Sequence, residues 1–166
     1  MKKIFLSSLF LLLFLSLTAC GNTKENIETN TAAKEKTSKI LIAYFSRTGN
    51  TKEIALKIQE KTNGELFEIQ PAEPYPENYK EATDKAKQEL SSGYLPPLKT
   101  KINNLESYDI IFIGYPIWWG TIPGPVRTFL TENDFSGKII IPFCTHGGSG
   151  IASSTSDVQK LAPQAE

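Results

Sequence analysis

The sequence predicts an α/β domain built on a parallel sheet with helices on both faces, and three observations carry that expectation. From Lys39 onward, short apolar runs alternate with stretches whose apolar residues recur every three or four positions, the pattern of βαβ units. The strand candidates are continuous apolar runs rather than alternating ones, as in a sheet covered on both sides. The chain has 166 residues, 40% of them hydrophobic and 22% charged, which allows one ordinary core.

Ile40-Leu41-Ile42-Ala43-Tyr44-Phe45 is the first strand. Asn50 and Glu53 have N-cap and N3 spacing, and Ile54, Ala55 and Ile58 form the inward stripe of a helix ending near Asn63-Gly64. Leu66 to Ile69 is the second strand. The proline-rich stretch from Pro71 to Pro76 is a rigid connection, after which Tyr79, Ala82, Ala86 and Leu90 define a helix that stops before Gly93. Asp109 to Gly114 is the third strand. A long loop follows, and Pro125 is suited to open the helix carrying Val126, Phe129 and Leu130. Lys138 to Phe143 is the fourth strand, with Pro142 near its end, where a residue that cannot donate to the ladder is tolerated. A last helix covers about Ser153 to Leu161, and no internal repeat is visible.

The segment ahead of Lys39 reads as targeting. Lys2 and Lys3 precede an apolar run from Ile4 to Leu17, and Leu17-Thr18-Ala19-Cys20 ends it with small residues before a cysteine. This resembles the lipobox of bacterial lipoproteins, which implies a signal peptide over 1–19 and lipid on Cys20. Residues 20–38 then form a lipidated, polar tether, about 20 to 25 Å between its ends as a flexible coil, and 39–166 form the folded domain. The implied localisation is the extracytoplasmic face of a bacterial membrane. Eighteen basic and 18 acidic residues leave no basic footprint for nucleic acid. A single His excludes a multi-His zinc site, and with Cys20 lipidated only Cys144 remains, so no intramolecular disulfide forms.

In open α/β sheets ligands bind beyond the carboxyl ends of the strands, so three segments matter. Ser46-Arg47-Thr48-Gly49-Asn50-Thr51 gathers hydroxyl and amide side chains and one glycine at a helix N-terminus, a place suited to a phosphate. It lacks the Gly-x-x-x-x-Gly-Lys spacing of a nucleoside triphosphate loop. Tyr115-Pro116-Ile117-Trp118-Trp119-Gly120 places both tryptophans of the chain side by side in a loop. Large rings there need something to cover, and a planar ligand fits, with one Trp stacking and the other packing inward. Cys144-Thr145-His146-Gly147-Gly148-Ser149-Gly150 offers backbone amides at close approach. It has no Arg six positions after Cys144, no Gly-x-Ser-x-Gly around Ser149 and no third Gly for a dinucleotide fingerprint. Cys144 therefore reads as a small buried hydrophobe at a strand end.

Together the three segments resemble the flavodoxin family over Lys39 to Glu166, the Ser-x-Thr-Gly-Asn-Thr run being the most specific. The resemblance implies a doubly wound parallel sheet in the order 2-1-3-4 and FMN as cofactor. By position, Ser46, Arg47, Thr48, Gly49, Asn50 and Thr51 would hold the phosphate. Pro116, Ile117, Trp118, Trp119 and Gly120 would flank the isoalloxazine, with Trp118 the stacking ring, and Thr145, His146, Gly147, Gly148 and Ser149 would meet its other edge. The family's fifth strand is not seen in this sequence, so the fourth strand is expected to be an exposed, self-associating edge, with the chain a truncated form or its edge paired with another chain.

The expected function is that of a membrane-tethered redox protein moving electrons or hydride through FMN, to or from a redox partner protein or a small-molecule donor or acceptor. An imidazolium at His146 near the flavin would favour the anionic reduced form. The sequence leaves an electron carrier and an NAD(P)H or quinone reductase both open. A reductase needs a second pocket, for which Tyr75, Tyr79 and Tyr94 are the available walls. A cofactor-free binding or adhesion lipoprotein that keeps the fold is the alternative.

Overall fold

The computed structural model describes residues 38–166. The expected signal peptide at 1–19, Cys20 and the tether as far as residue 37 lie outside the described residues. Four parallel strands, β1 (Ile40–Tyr44), β2 (Glu65–Glu68), β3 (Ile110–Pro116) and β4 (Ile139–Thr145), form one sheet in the order β2-β1-β3-β4. Helices α1 (Asn50–Thr62), α2 (Tyr79–Ser92), α3 (Gly124–Glu132) and α4 (Ser154–Leu161) connect or follow them. The order reverses between β1 and β3, which opens a crevice at their carboxyl ends.

Alternation along each strand sends side chains to two cores of unequal size. Leu41, Ala43, Ile111, Ile113 and Tyr115 join Val126, Phe129 and Leu130 of α3 and Val158 of α4 in the larger one. Ile42, Tyr44, Phe112 and Phe143 pack on Ala55 and Ile58 of α1 in the smaller one. Gly114 of β3 makes room for the Phe143 ring of the neighbouring β4, with which any Cβ there would collide.

Three local expectations are corrected. Asn50 does not cap α1. Gly49 occupies the N-cap with φ of 91°, a left-handed conformation that glycine adopts without strain, and the Glu53 amide donates to its carbonyl at 2.9 Å. The Glu53 carboxylate turns outward to Lys57 instead of closing a capping box. The third strand continues through Tyr115-Pro116 and the fourth through Cys144-Thr145, so residues expected in loops pair as Tyr115 with Cys144 and Pro116 with Thr145.

Pro142 therefore lies inside β4 rather than at its end. It fits because Ile139 donates inward to the Asp109 carbonyl while Ile140 donates outward to Glu166 at 2.9 Å, so the even-numbered amides point to the outer edge, where Pro142 has none to lose. Glu166 also donates to the Lys138 carbonyl at 2.9 Å and so borders the start of that edge. On the α1 side of β4, Ile139 and Ile141 remain 43% and 39% exposed. Among the described residues no helix is long and apolar enough to cross a membrane.

Candidate functional site

The crevice at the carboxyl ends of β1, β3 and β4 is an open cleft of about 280 Å³. Of the residues singled out from the sequence, Ser46, Arg47, Thr48, Asn50, Thr51, Pro116, Ile117, Trp118, Thr145, His146 and Gly147 line it. Gly49 lies at the head of α1 within the first loop, and Trp119, Gly120, Gly148 and Ser149 stand outside the lining.

The first wall is the loop from β1 into α1. Its amides lie at a helix N-terminus whose first N–H groups have no intrahelical acceptor and carry the positive end of the helix dipole. The Ser46 hydroxyl oxygen is buried without a partner. Thr51 is buried, its Oγ1 sharing a 2.8 Å hydrogen bond with Thr145 Oγ1 across the cleft floor. Arg47 donates to the carbonyls of Pro76 at 3.0 Å and Glu77 at 2.5 Å. Both acceptors are neutral, so its positive charge stays available at the rim.

The second wall is a tight turn. Trp118 and Thr121 exchange backbone hydrogen bonds of 3.0 Å in both directions, with Trp119 (φ 52°) and Gly120 (φ 76°) between them in left-handed conformations. For Trp119 that conformation costs about 1 to 2 kcal/mol, and the turn is held from outside. Gly120 accepts from the Ser153 amide at 3.0 Å and hydroxyl at 2.9 Å, and Thr121 donates to Asp157 at 2.5 Å. Burial works against the Asp157 charge, but hydrogen bonds from Thr121, Ser153 and Lys160 outweigh it and hold its pKa below the ordinary value.

The two tryptophans divide differently from expectation. Trp118 faces the cleft, backed edge-on by Phe45 at 5.3 Å and Tyr75 at 4.8 Å between ring centroids. Trp119 does not pack inward. It is 52% exposed, donates from Nε1 to the Thr83 carbonyl at 3.0 Å and lies under the Lys87 ammonium. A cross-linked turn leaves room for only one of two neighbouring rings on the cleft side, and a carbonyl of α2 satisfies the other indole N–H.

The third wall is the loop after β4. His146 Nδ1 accepts from the amides of Gly148 at 3.1 Å and Gly150 at 3.2 Å, which gives that ring nitrogen an acceptor role. The expected imidazolium would turn N–H against N–H, and this geometry opposes it. Burial raises the Cys144 pKa and keeps the thiol protonated, as a residue with a packing role requires.

The sequence gives no sign of Thr83 here and marks Ala82 only as core; with Tyr79, named as a wall of a second pocket, they bring the first turns of α2 over the cleft. The tyrosines do not wall one pocket. Tyr79 lines this cleft, Tyr94 stands by Trp119, and Tyr75 is partly buried behind Trp118. The Tyr75 hydroxyl meets the buried Glu89 carboxylate, whose other oxygen has no partner, and burial with that carboxylate raises its pKa well above the tyrosine range.

A family model described as flavodoxin matches residues 39–166. Among solved structures, one of a protein from Bacteroides eggerthii classed as a flavoprotein is 38% identical, with a TM-score of 0.71 over 77% of this chain and 83% of that one. One from Bacteroides uniformis, of the same class, is also 38% identical, with a TM-score of 0.71 over 77% and 85%. A flavoprotein from Lactobacillus acidophilus, solved in complex with FMN, is 26% identical with a TM-score of 0.68 over 78% and 89%. A search of curated proteins returned no match.

Proposed function

The chain belongs to the flavodoxin family, and from that premise we propose that it is an FMN-binding redox protein, tethered through Cys20 to the extracytoplasmic face of a bacterial membrane, that carries electrons or hydride through the flavin. One observation carries the reading. A loop of hydroxyl and amide donors at a helix N-terminus faces a single tryptophan wall across one cleft. The FMN complex of the Lactobacillus acidophilus relative supports the choice of cofactor.

The residues present fit that group. The unpartnered Ser46 hydroxyl, the Thr48 hydroxyl and the first amides of α1 would hold the phosphate, with Arg47 balancing its charge. The space over Gly49 and Gly147 is open, which leaves the backbone there accessible to a ligand. Trp118 would stack on the ring, its orientation fixed by Phe45 and Tyr75 behind it. Thr145, His146 and Gly147 would border the opposite edge. When bound, FMN supplies the electron and hydride chemistry. The protein's part is to orient the ring, exclude water from its stacked face and leave an edge open to the redox partner.

An absorbance spectrum of the purified protein with and without added FMN tests the reading. A shifted, resolved flavin band and quenched tryptophan fluorescence at one equivalent are expected. Unchanged spectra would reject it and leave the cofactor-free binding lipoprotein.

A further inference from the structure

The geometry points to a second small-molecule site, separated from the first cleft by Ser46 and Arg47, that takes a planar aromatic acid. The cavity there is about 590 Å³, twice the first one, and falls within the roughly 300 to 1,000 Å³ of typical ligand pockets. It lies beyond the end of β2, under a short ribbon in which Ala72 donates to the Pro97 carbonyl and Lys99 to the Gln70 carbonyl, each at 2.8 Å. Pro71 and Pro74 fix the backbone of its wall, so the cavity stands formed without a ligand.

The chemistry of the walls selects the ligand. Phe45 and Tyr75, with centroids 6.0 Å apart and planes at 61°, supply the aromatic side. Planar rings gain most on such a wall. The charge balance is positive. Glu68 pairs with Lys52 at 3.6 Å, whereas Lys99 forms no ion pair among the described residues. Among the described residues the Gln70 side chain makes no hydrogen bond. A neutral apolar molecule would leave these groups unanswered. A carboxylate on a flat ring meets both the Lys99 ammonium and the Gln70 amide, and the aromatic wall disfavours a small inorganic anion.

Salicylate is a suitable probe, measured by equilibrium dialysis against the full chain in detergent with empty detergent as blank. One saturable equivalent is expected, and it should persist when FMN is saturating. Lys99→Glu should weaken capture at least fivefold, and Leu98→Trp, which fills the cavity, should abolish it. Benzyl alcohol, which lacks the charge, should bind at least fivefold more weakly than salicylate. Absence of saturable binding, full displacement by FMN, or unchanged binding by both variants would overturn the proposal. Neither variant lies in the first cleft, so a failure of FMN to bind would leave this result interpretable.

Discussion

The two loops that face each other across the cleft are held in opposite ways. The Ser46–Thr51 loop is anchored on three sides: Thr51 is buried and bonded to Thr145, Arg47 reaches two carbonyls ahead of α2, and the Phe45 amide just before it joins the Gly114 carbonyl at 2.9 Å. The loop after β4 is exposed from His146 to Ser149, carries glycines at φ of 111° and 69°, and folds around one imidazole nitrogen. The first half of the site is ordered before any ligand arrives, so it should supply affinity. The second is shaped by a single titratable side chain, so it should tune what the first half holds.

Thr51→Val is the strongest way to break this contrast. It strands the Thr145 hydroxyl, which should cost about 1 to 3 kcal/mol in denaturant unfolding, and FMN affinity should fall more than tenfold by titration. Thr48→Ala should lose about tenfold in affinity with stability unchanged within about 0.5 kcal/mol, because Thr48 is exposed. If both variants bind FMN normally, the first loop is not the anchor.

Trp118→Phe should lower affinity only a few-fold, since aromatic stacking adds about 0.5 to 1.5 kcal/mol, yet remove most of the fluorescence quenching. Trp119→Phe should leave the quenching in place. The reverse result would exchange the roles of the two rings.

His146→Ala sharpens the comparison from the other side. Hydrogen exchange at the Gly148 and Gly150 amides should accelerate at least tenfold while global unfolding moves by less than about 1 kcal/mol, because the loop is exposed. Equal protection in the variant would show that the imidazole does not organise the loop.

The smallest effect concerns the clamp on the tryptophan turn. The Asp157 pKa is depressed in the fold, so its stabilisation is complete above the ordinary aspartate value of about 3.9 and is lost as pH falls through the lower folded value. Trp119 fluorescence should stay flat from neutrality to about pH 5 and change only below about pH 4. Asp157→Asn should remove that acid transition.

The strands and helices were legible because apolar runs and three-to-four spacing depend on neighbours close in sequence, whereas the sheet order followed only from the resemblance carried by the three loop segments. What escaped depends on neighbours far away. Asn50 and Glu53 have the spacing of a capping box, but Gly49 takes the cap because the chain must turn sharply out of β1, and only the fold sets that angle. Pro116 reads as loop and Pro142 as near a strand end, yet each sits in a paired register, and whether a missing donor matters depends on which edge the residue faces. The second cavity is assembled from the ends of β1 and β2, the Pro71–Tyr75 stretch and Leu98-Lys99, none of which forms a motif. The opposed fates of Trp118 and Trp119 turn on a carbonyl of Thr83, 36 residues from the indole it accepts.

Pro142 has a further consequence for how this protein behaves in a crowd. Three isoleucines in a row make β4 a natural seed for amyloid-like stacking, which needs an unbroken alternation of donors and acceptors along the exposed edge. Past Ile140 that edge shows the carbonyls of Ile140 and Pro142 with no amide between them, and Glu166 already takes the first donor. A foreign strand meets a gap in the middle of its template. Wherever that edge stands open, the proline should act as a gatekeeper against such pairing without touching the core contacts of Ile140 or Phe143.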